Sequence, residues 1–305
     1  MIRTILVPLD GSPFGEQALP LALSIARRSQ GIVHLLHVEP SRSEDPYFDR
    51  PAFVTKLQEE YLASLVSRLQ RTTPVAFTSR VQNGEIAPTI AATAEGLAAD
   101  LIVMTTHGRG ALQRLWLGSV ADELIRNYSH RVLLVRPIEG EAGKSAEPTI
   151  QRLLLPLDGT ELAEQMIEPA VDLGSLMAVD YTLLRLVVPV LASLTLIDAG
   201  TLGEQTRAFM EQSNALTEQR AQEAGAYLER VAQGLRSRSL SVQTKVVVHP
   251  EPAAAILEAA QAGTDLIAIQ THGRRGLSRL VVGSVADKVI RGASVPVLVQ
   301  RPAKR

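Results

Sequence analysis

The chain contains no cysteine, which removes disulfides, thiolate metal sites and thiol nucleophiles from consideration. Net charge is almost missing too: 31 basic residues face 32 acidic ones, a formal −1. No general electrostatic pull toward nucleic acid or an anionic membrane is expected from that balance. Long apolar runs are also lacking. The longest, LVVPVLASLTLI from Leu186 to Ile197, is interrupted by Pro189, Ser193 and Thr195. It falls short of the about 20 apolar residues that a membrane-spanning helix needs. The opening MIRTILVPLDGS has too brief an apolar core for a signal peptide and reads as a first strand. The expectation is a cytoplasmic protein with neither nucleic acid nor membrane as a partner.

Common site signatures are absent as well. No G-x-x-x-x-G-K-[ST] loop, no G-x-S-x-G elbow and no H-E-x-x-H helix occurs, and no G-x-G-x-x-G follows the first strand. His107 and His272 are equivalent positions of a repeat, but one histidine per copy does not make a metal site. They read as loop-organising residues, and no catalytic residue is named.

What the chain does have is a second copy of itself. ILVPLDGS at Ile5 to Ser12 matches LLLPLDGT at Leu153 to Thr160, and THGRGALQRLWLGSVAD from Thr106 matches THGRRGLSRLVVGSVAD from Thr271. Over Thr106 to Arg126 against Thr271 to Arg291, 14 of 21 positions are identical. A period near 150 is too long for a solenoid, so a whole domain is duplicated. With 46% hydrophobic and 21% charged residues, each half can bury its own core. The expected limits are 1–138 for the first domain, 139–149 for a polar linker and 150–305 for the second. The second carries an insertion around 187–205, followed by a long helical pattern from about Gly203 to Leu235. The apolar stretch Val187 to Ile197 is expected to be buried, against the other copy, a second chain or its own domain.

Each copy alternates strand and helix with short connections, which predicts an open, mostly parallel five-stranded sheet with helices on both faces. Ligands of such sheets collect at the carboxyl ends of the strands, where strand order reverses. Asp10, Val38 and Thr105-Thr106 close three strands and so fall on one rim. Gly118-Ser119 and Gly283-Ser284 stand directly before helices, whose first amides are unpaired and carry partial positive charge. Gly108 permits a second close approach of backbone to an anion, and Arg109, Arg114, Arg274 and Arg279 offer charge. Ser119 with Asp122, and Ser284 with Asp287, also fit a capping box. Spacing alone leaves both readings standing, a cap only or a cap that also holds a ligand.

The motifs VPLDGS, LLHV and G-x9-G-S before VADELIR resemble the universal stress protein family, and the resemblance spans both copies. It implies two tandem Rossmann-like domains of the adenine-nucleotide-hydrolase type. It also implies binding of ATP or a related adenine nucleotide, with Mg²⁺ as a companion of a triphosphate and weak hydrolysis at most. On that resemblance the nucleoside faces Pro8, Asp10 and Val38 in the first copy, and Pro156, Asp158 and Leu186 in the second. The phosphates face Thr105, Gly108, Arg109, Gly118, Ser119 and Val120, and in the second copy Gln270, Gly273, Gly283, Ser284 and Val285. The family's first motif glycine is replaced by Thr105 and Gln270, which favours the first copy as the better binder. The fifth strands RVLLV and VPVLV pair between domains in that family. An intramolecular pseudo-dimer is thus implied, with a further homodimer and an unidentified protein partner left open. The alternatives are a scaffold of the same fold that binds no nucleotide and, more weakly, an adenine-nucleotide hydrolase, whose Ser-Gly-Gly loop after the first strand is here Asp-Gly-Ser.

Overall fold

The computed structural model describes residues 1–40, 51–106, 117–137, 148–190, 204–271 and 283–301. Apolar runs such as Ile5-Leu6-Val7 must be covered on both faces, and they form central strands. The first half runs β1 (Thr4–Pro8), a 3₁₀ turn (Gly15–Ala18), α1 (Leu19–Ser29), β2 (Ile32–Pro40), α2 (Pro51–Gln70) and β3 (Ala76–Gly84). It continues with α3 (Ile86–Gly96), β4 (Leu101–Thr105), α4 (Ser119–Asn127) and β5 (Arg131–Val135). The second half repeats this as β6 (Arg152–Pro156), α5 (Glu161–Glu164), α6 (Ile167–Met177), β7 (Asp180–Val187) and α7 (Glu204–Arg236). It closes with β8 (Val242–Val248), α8 (Pro252–Gln261), β9 (Leu266–Gln270), α9 (Ser284–Gly292) and β10 (Val297–Gln300).

Among the described residues all ten strands join one sheet, in the order β3-β2-β1-β4-β5-β10-β9-β6-β7-β8. Each half is parallel throughout. Only the junction is antiparallel, with Leu133 opposite Leu298 and Leu134 opposite Val297. The chain is therefore two Rossmann-like domains back to back around a pseudo-two-fold axis, with their fifth strands paired as the resemblance implies. That pairing removes two sheet edges that would otherwise expose a row of unpaired amides and carbonyls.

Helix periodicity decides which side chains fill the cores. In α1 the positions Leu19, Ala22, Ile25 and Ala26 are all buried, and the helix ends at Gln30 in the left-handed region (φ 53°). Side chains of α1, α2, α6 and α7 fill the core on one face of the sheet. Those of α3, α4, α8 and α9 fill the other. Both cores run across the junction, so burial there belongs to the pair of domains.

α3 starts at Ile86 and carries Pro88 in its first turn, where proline is tolerated because its missing N–H would have no helical partner. The long second-copy helix has 33 residues against 20 in α2. Of the apolar stretch Val187 to Ile197, the part from 191 lies outside the described residues. Val187 is buried, Val188 is 39% exposed, and the Val190 amide donates to Thr217 Oγ1 of α7 at 3.2 Å. Among the described residues no helix is long and apolar enough to cross a membrane.

Candidate functional site

The strand order reverses between β1 and β4, and the pairing there is short. Ile5 aligns with Leu101 and Leu6 with Ile102, and the register goes no further, although β4 continues to Thr105 beside β5. A crevice therefore opens between Val7-Pro8 on one lip and Val103–Thr105 on the other. Proline suits that position because it has no N–H to offer a neighbouring strand. The second copy repeats the geometry with Leu153–Leu266 and Leu154–Ile267.

On the first lip the chain leaves β1 through a tight turn. Asp10 Oδ1 accepts hydrogen bonds from the Ser12 amide (3.0 Å) and hydroxyl (2.6 Å), while Ser12 Oγ accepts from the Gly15 amide (3.1 Å). Asp158 and Thr160 reproduce this at 3.0 and 2.5 Å, and Thr160 Oγ1 accepts from the Ala163 amide at 3.2 Å. Gly11 and Gly159 both sit at φ 76°, where a Cβ is unfavourable, which explains the repeated Asp-Gly pair. Under each turn a tyrosine is held by a glutamate: Tyr61 donates to Glu16 and Tyr227 to Glu164, both at 2.9 Å. Burial first, and then the facing glutamates, push both phenols well above their usual pKa, so they remain donors.

The second lip carries the helix start. The Gly118 amide donates to Thr106 O at 2.7 Å, and the Gly283 amide to Thr271 O at 2.6 Å. These bonds close each G-x9-G-S loop at its base and set the N-terminus of α4 or α9 beside the crevice. The capping-box expectation is overturned here. Gly118 and Gly283 are the N-caps, Ser119 and Ser284 are the first helical residues, and neither helix start has a side-chain cap among the described residues. A serine already at helical φ/ψ cannot fold its hydroxyl back over its own turn, because that bond needs the extended backbone of a cap position. Both serines are exposed, and Val120 and Val285 behind them are half-buried.

Asp122 and Asp287, read from spacing as capping partners, instead bind arginines. Asp122 Oδ2 accepts from Arg126 Nε (2.6 Å) and Asp122 Oδ1 from Arg291 Nη2 (3.3 Å). Asp287 Oδ2 accepts from Arg291 Nε (2.9 Å) and Asp287 Oδ1 from Arg126 Nη2 (3.2 Å). Sequence reading missed this ring, although all four residues lie in the most similar repeat segment at i, i+4 spacing. A second feature it missed is His37, 5% exposed, whose Nδ1 lies 2.8 Å from Leu9 O and Nε2 3.0 Å from Glu39. In the second copy Arg185 takes that place, donating to Leu157 O at 3.3 Å.

The remaining expected residues fall around the same rim. Pro8 and Pro156 end β1 and β6, and Val38 and the half-buried Leu186 lie near the ends of β2 and β7. Thr105 and Gln270 end β4 and β9, 8% and 6% exposed. Gln270 Oε1 accepts from the Thr271 amide at 3.2 Å, whereas its buried Nε2 has no hydrogen-bond partner among the described residues. Gly108, Arg109 and Gly273, with His107, His272 and the loop arginines, lie outside the described residues.

A sequence profile of the universal stress protein family matches residues 1–136 and 149–301. The chain belongs to the universal stress protein family. It is similar over nearly its whole length to two mycobacterial members. A universal stress protein of Mycolicibacterium smegmatis is 27% identical, covering 98% of this chain and 97% of the relative. One of Mycobacterium tuberculosis is 28% identical, covering 97% and 94%. The crystal structure of a universal stress protein from Archaeoglobus fulgidus superposes with a TM-score of 0.71 at 15% identity, covering 98% of both chains, and so shows the shared fold.

Proposed function

We propose that this universal stress protein binds an adenine nucleotide, ATP or a close relative, at the crevice of each domain. In this reading the nucleoside lies against the Asp10 or Asp158 turn and the ends of β2 or β7. The phosphates meet the first amides of α4 or α9, with the Ser119 or Ser284 hydroxyl as a further donor. One observation carries it: among the described residues both helix starts lack a side-chain cap, and each presents an exposed serine, Ser119 or Ser284, at a topological switch point. First-turn amides left without a protein partner are anion donors, and the family resemblance implies which anion. The donor set fits a polyphosphate. Among the described residues no three histidine or acidic side chains converge as a metal site, so Mg²⁺ would arrive with the phosphates.

Nucleotide occupancy would change the two lips and so the surface offered to a partner, and the protein acts as a cytoplasmic regulator with weak hydrolysis at most. Gln270 favours a narrower version, in which the second domain is the weaker binder or only a scaffold. Where the motif implies a small residue, it places a buried amide whose nitrogen has no partner among the described residues. Mass spectrometry of the protein as purified tests the main reading, together with calorimetric titration of the full chain with ATP. A co-purifying adenine nucleotide, or saturable binding lost in the Gly118→Val, Gly283→Val double variant, supports it. No nucleotide and no heat of binding would leave the scaffold reading.

A further inference from the structure

The four charged residues of the ring are not arranged as two separate helix pairs. Each aspartate has both carboxylate oxygens engaged, one by the arginine four residues later on its own helix and one by the arginine of the other domain. The side chains are only about a quarter exposed, 24–28%. The domains exchange further contacts at the same place. Arg136, just past β5, donates to Ala293 O after α9 at 3.0 Å, and Arg301, just past β10, donates to the Arg126 carbonyl of α4. Both bonds bring a cation to the negative end of the other domain's helix. A cavity at this junction is lined by Thr106 and Leu117 from the first domain's lip together with Arg136, Ile290 and Arg291. Arg291 thus reaches the wall behind the first domain's helix start.

The chemistry of the position gives this exchange a purpose. Asp122 lies one turn behind the first amides of α4, and its own amide donates to Gly118 O at 2.9 Å. A carboxylate there uses the same positive field that an incoming polyanion would use, and it repels that anion unless its charge is balanced. Arg126 alone must be shared between Asp122 and Asp287. Balance at each aspartate is reached only when both arginines are present, so it requires both domains.

We propose that the two anion cradles are completed in trans: Arg291 of the second domain offsets Asp122 behind the first cradle, and Arg126 of the first offsets Asp287 behind the second. The inference rests on the nucleotide reading above. It makes the joined pair the competent binding unit, and Arg126 and Arg291 positioning residues that act through the two aspartates.

The test uses the full chain with two probes, ATP and uncharged adenosine, followed by calorimetry and ligand-observed NMR. Arg126→Gln with Arg291→Gln should weaken ATP roughly two- to five-fold and leave adenosine unchanged. Adding Asp122→Asn and Asp287→Asn should restore ATP affinity although no ring can form, and the Arg291→Lys variant should stay near wild type. Equal weakening of ATP and adenosine, or a quadruple variant that stays weak, would show that the ring only holds the helices in place and would overturn the proposal. A wild-type chain that binds neither probe would remove the nucleotide reading itself. Thermal unfolding of each variant identifies any loss of fold, and the charge-free quadruple variant keeps the question answerable if the arginine variants fail to fold.

Discussion

Two serines of the first domain look interchangeable in sequence, each in a Gly-Ser pair, and the structure gives them opposite duties. Ser12 is 6% exposed, donates to Asp10 Oδ1 at 2.6 Å and accepts from the Gly15 amide at 3.1 Å. Ser12→Ala removes both bonds. It leaves the buried Gly15 amide without that acceptor and takes one hydroxyl donor from the Asp10 carboxylate, at a cost of about 1–2 kcal/mol. Ser119 is exposed, follows its N-cap and makes no capping bond. Ser119→Ala should therefore change stability by less than about 0.5 kcal/mol, the usual range for an exposed site. Ligand binding should rank the two variants differently. If the Ser119 hydroxyl donates to a phosphate, Ser119→Ala weakens ATP roughly ten- to a hundred-fold, the range for one hydrogen bond to a charged group. Urea unfolding of the full chain, with and without ATP, measures both quantities. A Ser119→Ala variant as destabilised as Ser12→Ala would mean that the serine caps α4 after all, and the assignment of open first-turn amides would be wrong.

Three further outcomes follow from the packing and the charges. Asp172 of α6 accepts from Arg131 at 2.8 Å and from the N-terminal ammonium at 3.2 Å, joining the two domains. Burial opposes its charge, but these two hydrogen bonds outweigh it and hold its pKa below the ordinary aspartate value of 3.8. With the folded pKa lower than the unfolded one, its contribution is present above pH 3.8 and is lost as pH falls below it. Unfolding midpoints measured across that window should fall more steeply for wild type than for Asp172→Asn, and parallel curves would contradict the assignment. Gly159→Ala forces a Cβ into φ 76° and within 3.1 Å of the Arg185 guanidinium, so a loss of about 1–2 kcal/mol is expected in the same denaturation assay. Leu298, 1% exposed opposite Leu133, should cost about 2–5 kcal/mol as Leu298→Ala, read as a shift of the urea midpoint.

The fold was largely readable because its signals are local. Continuous apolar runs at Ile5–Val7, Leu101–Val103 and Leu153–Leu155 can only be strands covered on both faces. The stripe of Leu19, Ala22, Ile25 and Ala26 can only be one face of a helix. Asp-Gly at 10–11 and 158–159 announces a turn that needs a positive φ at the glycine. The candidate site was half readable. Strand-end logic put Asp10, Val38 and Thr105-Thr106 on one rim, and Gly118-Ser119 was read from its place directly before a helix. The roles of Ser119 and Asp122 were not, because S-x-x-D spacing is the same whether the serine is the cap or the first helical residue. Backbone angles at Gly118 and Gly283 separate the two, and they are set by the amide bonds to Thr106 and Thr271, which close a loop of a dozen residues.

By itself, then, the sequence determined that this protein is a duplicated strand–helix unit, which strands are central and where each turn must bend, since hydrophobic period and glycine conformation act over a few residues. Only the tertiary structure decided that β5 and β10 join the copies edge to edge, and that Arg126 and Arg291 cross between helices to share two aspartates. Those outcomes depend on the distance between groups more than 150 positions apart along the chain, and Coulomb attraction and hydrogen bonding respond to that spatial distance alone.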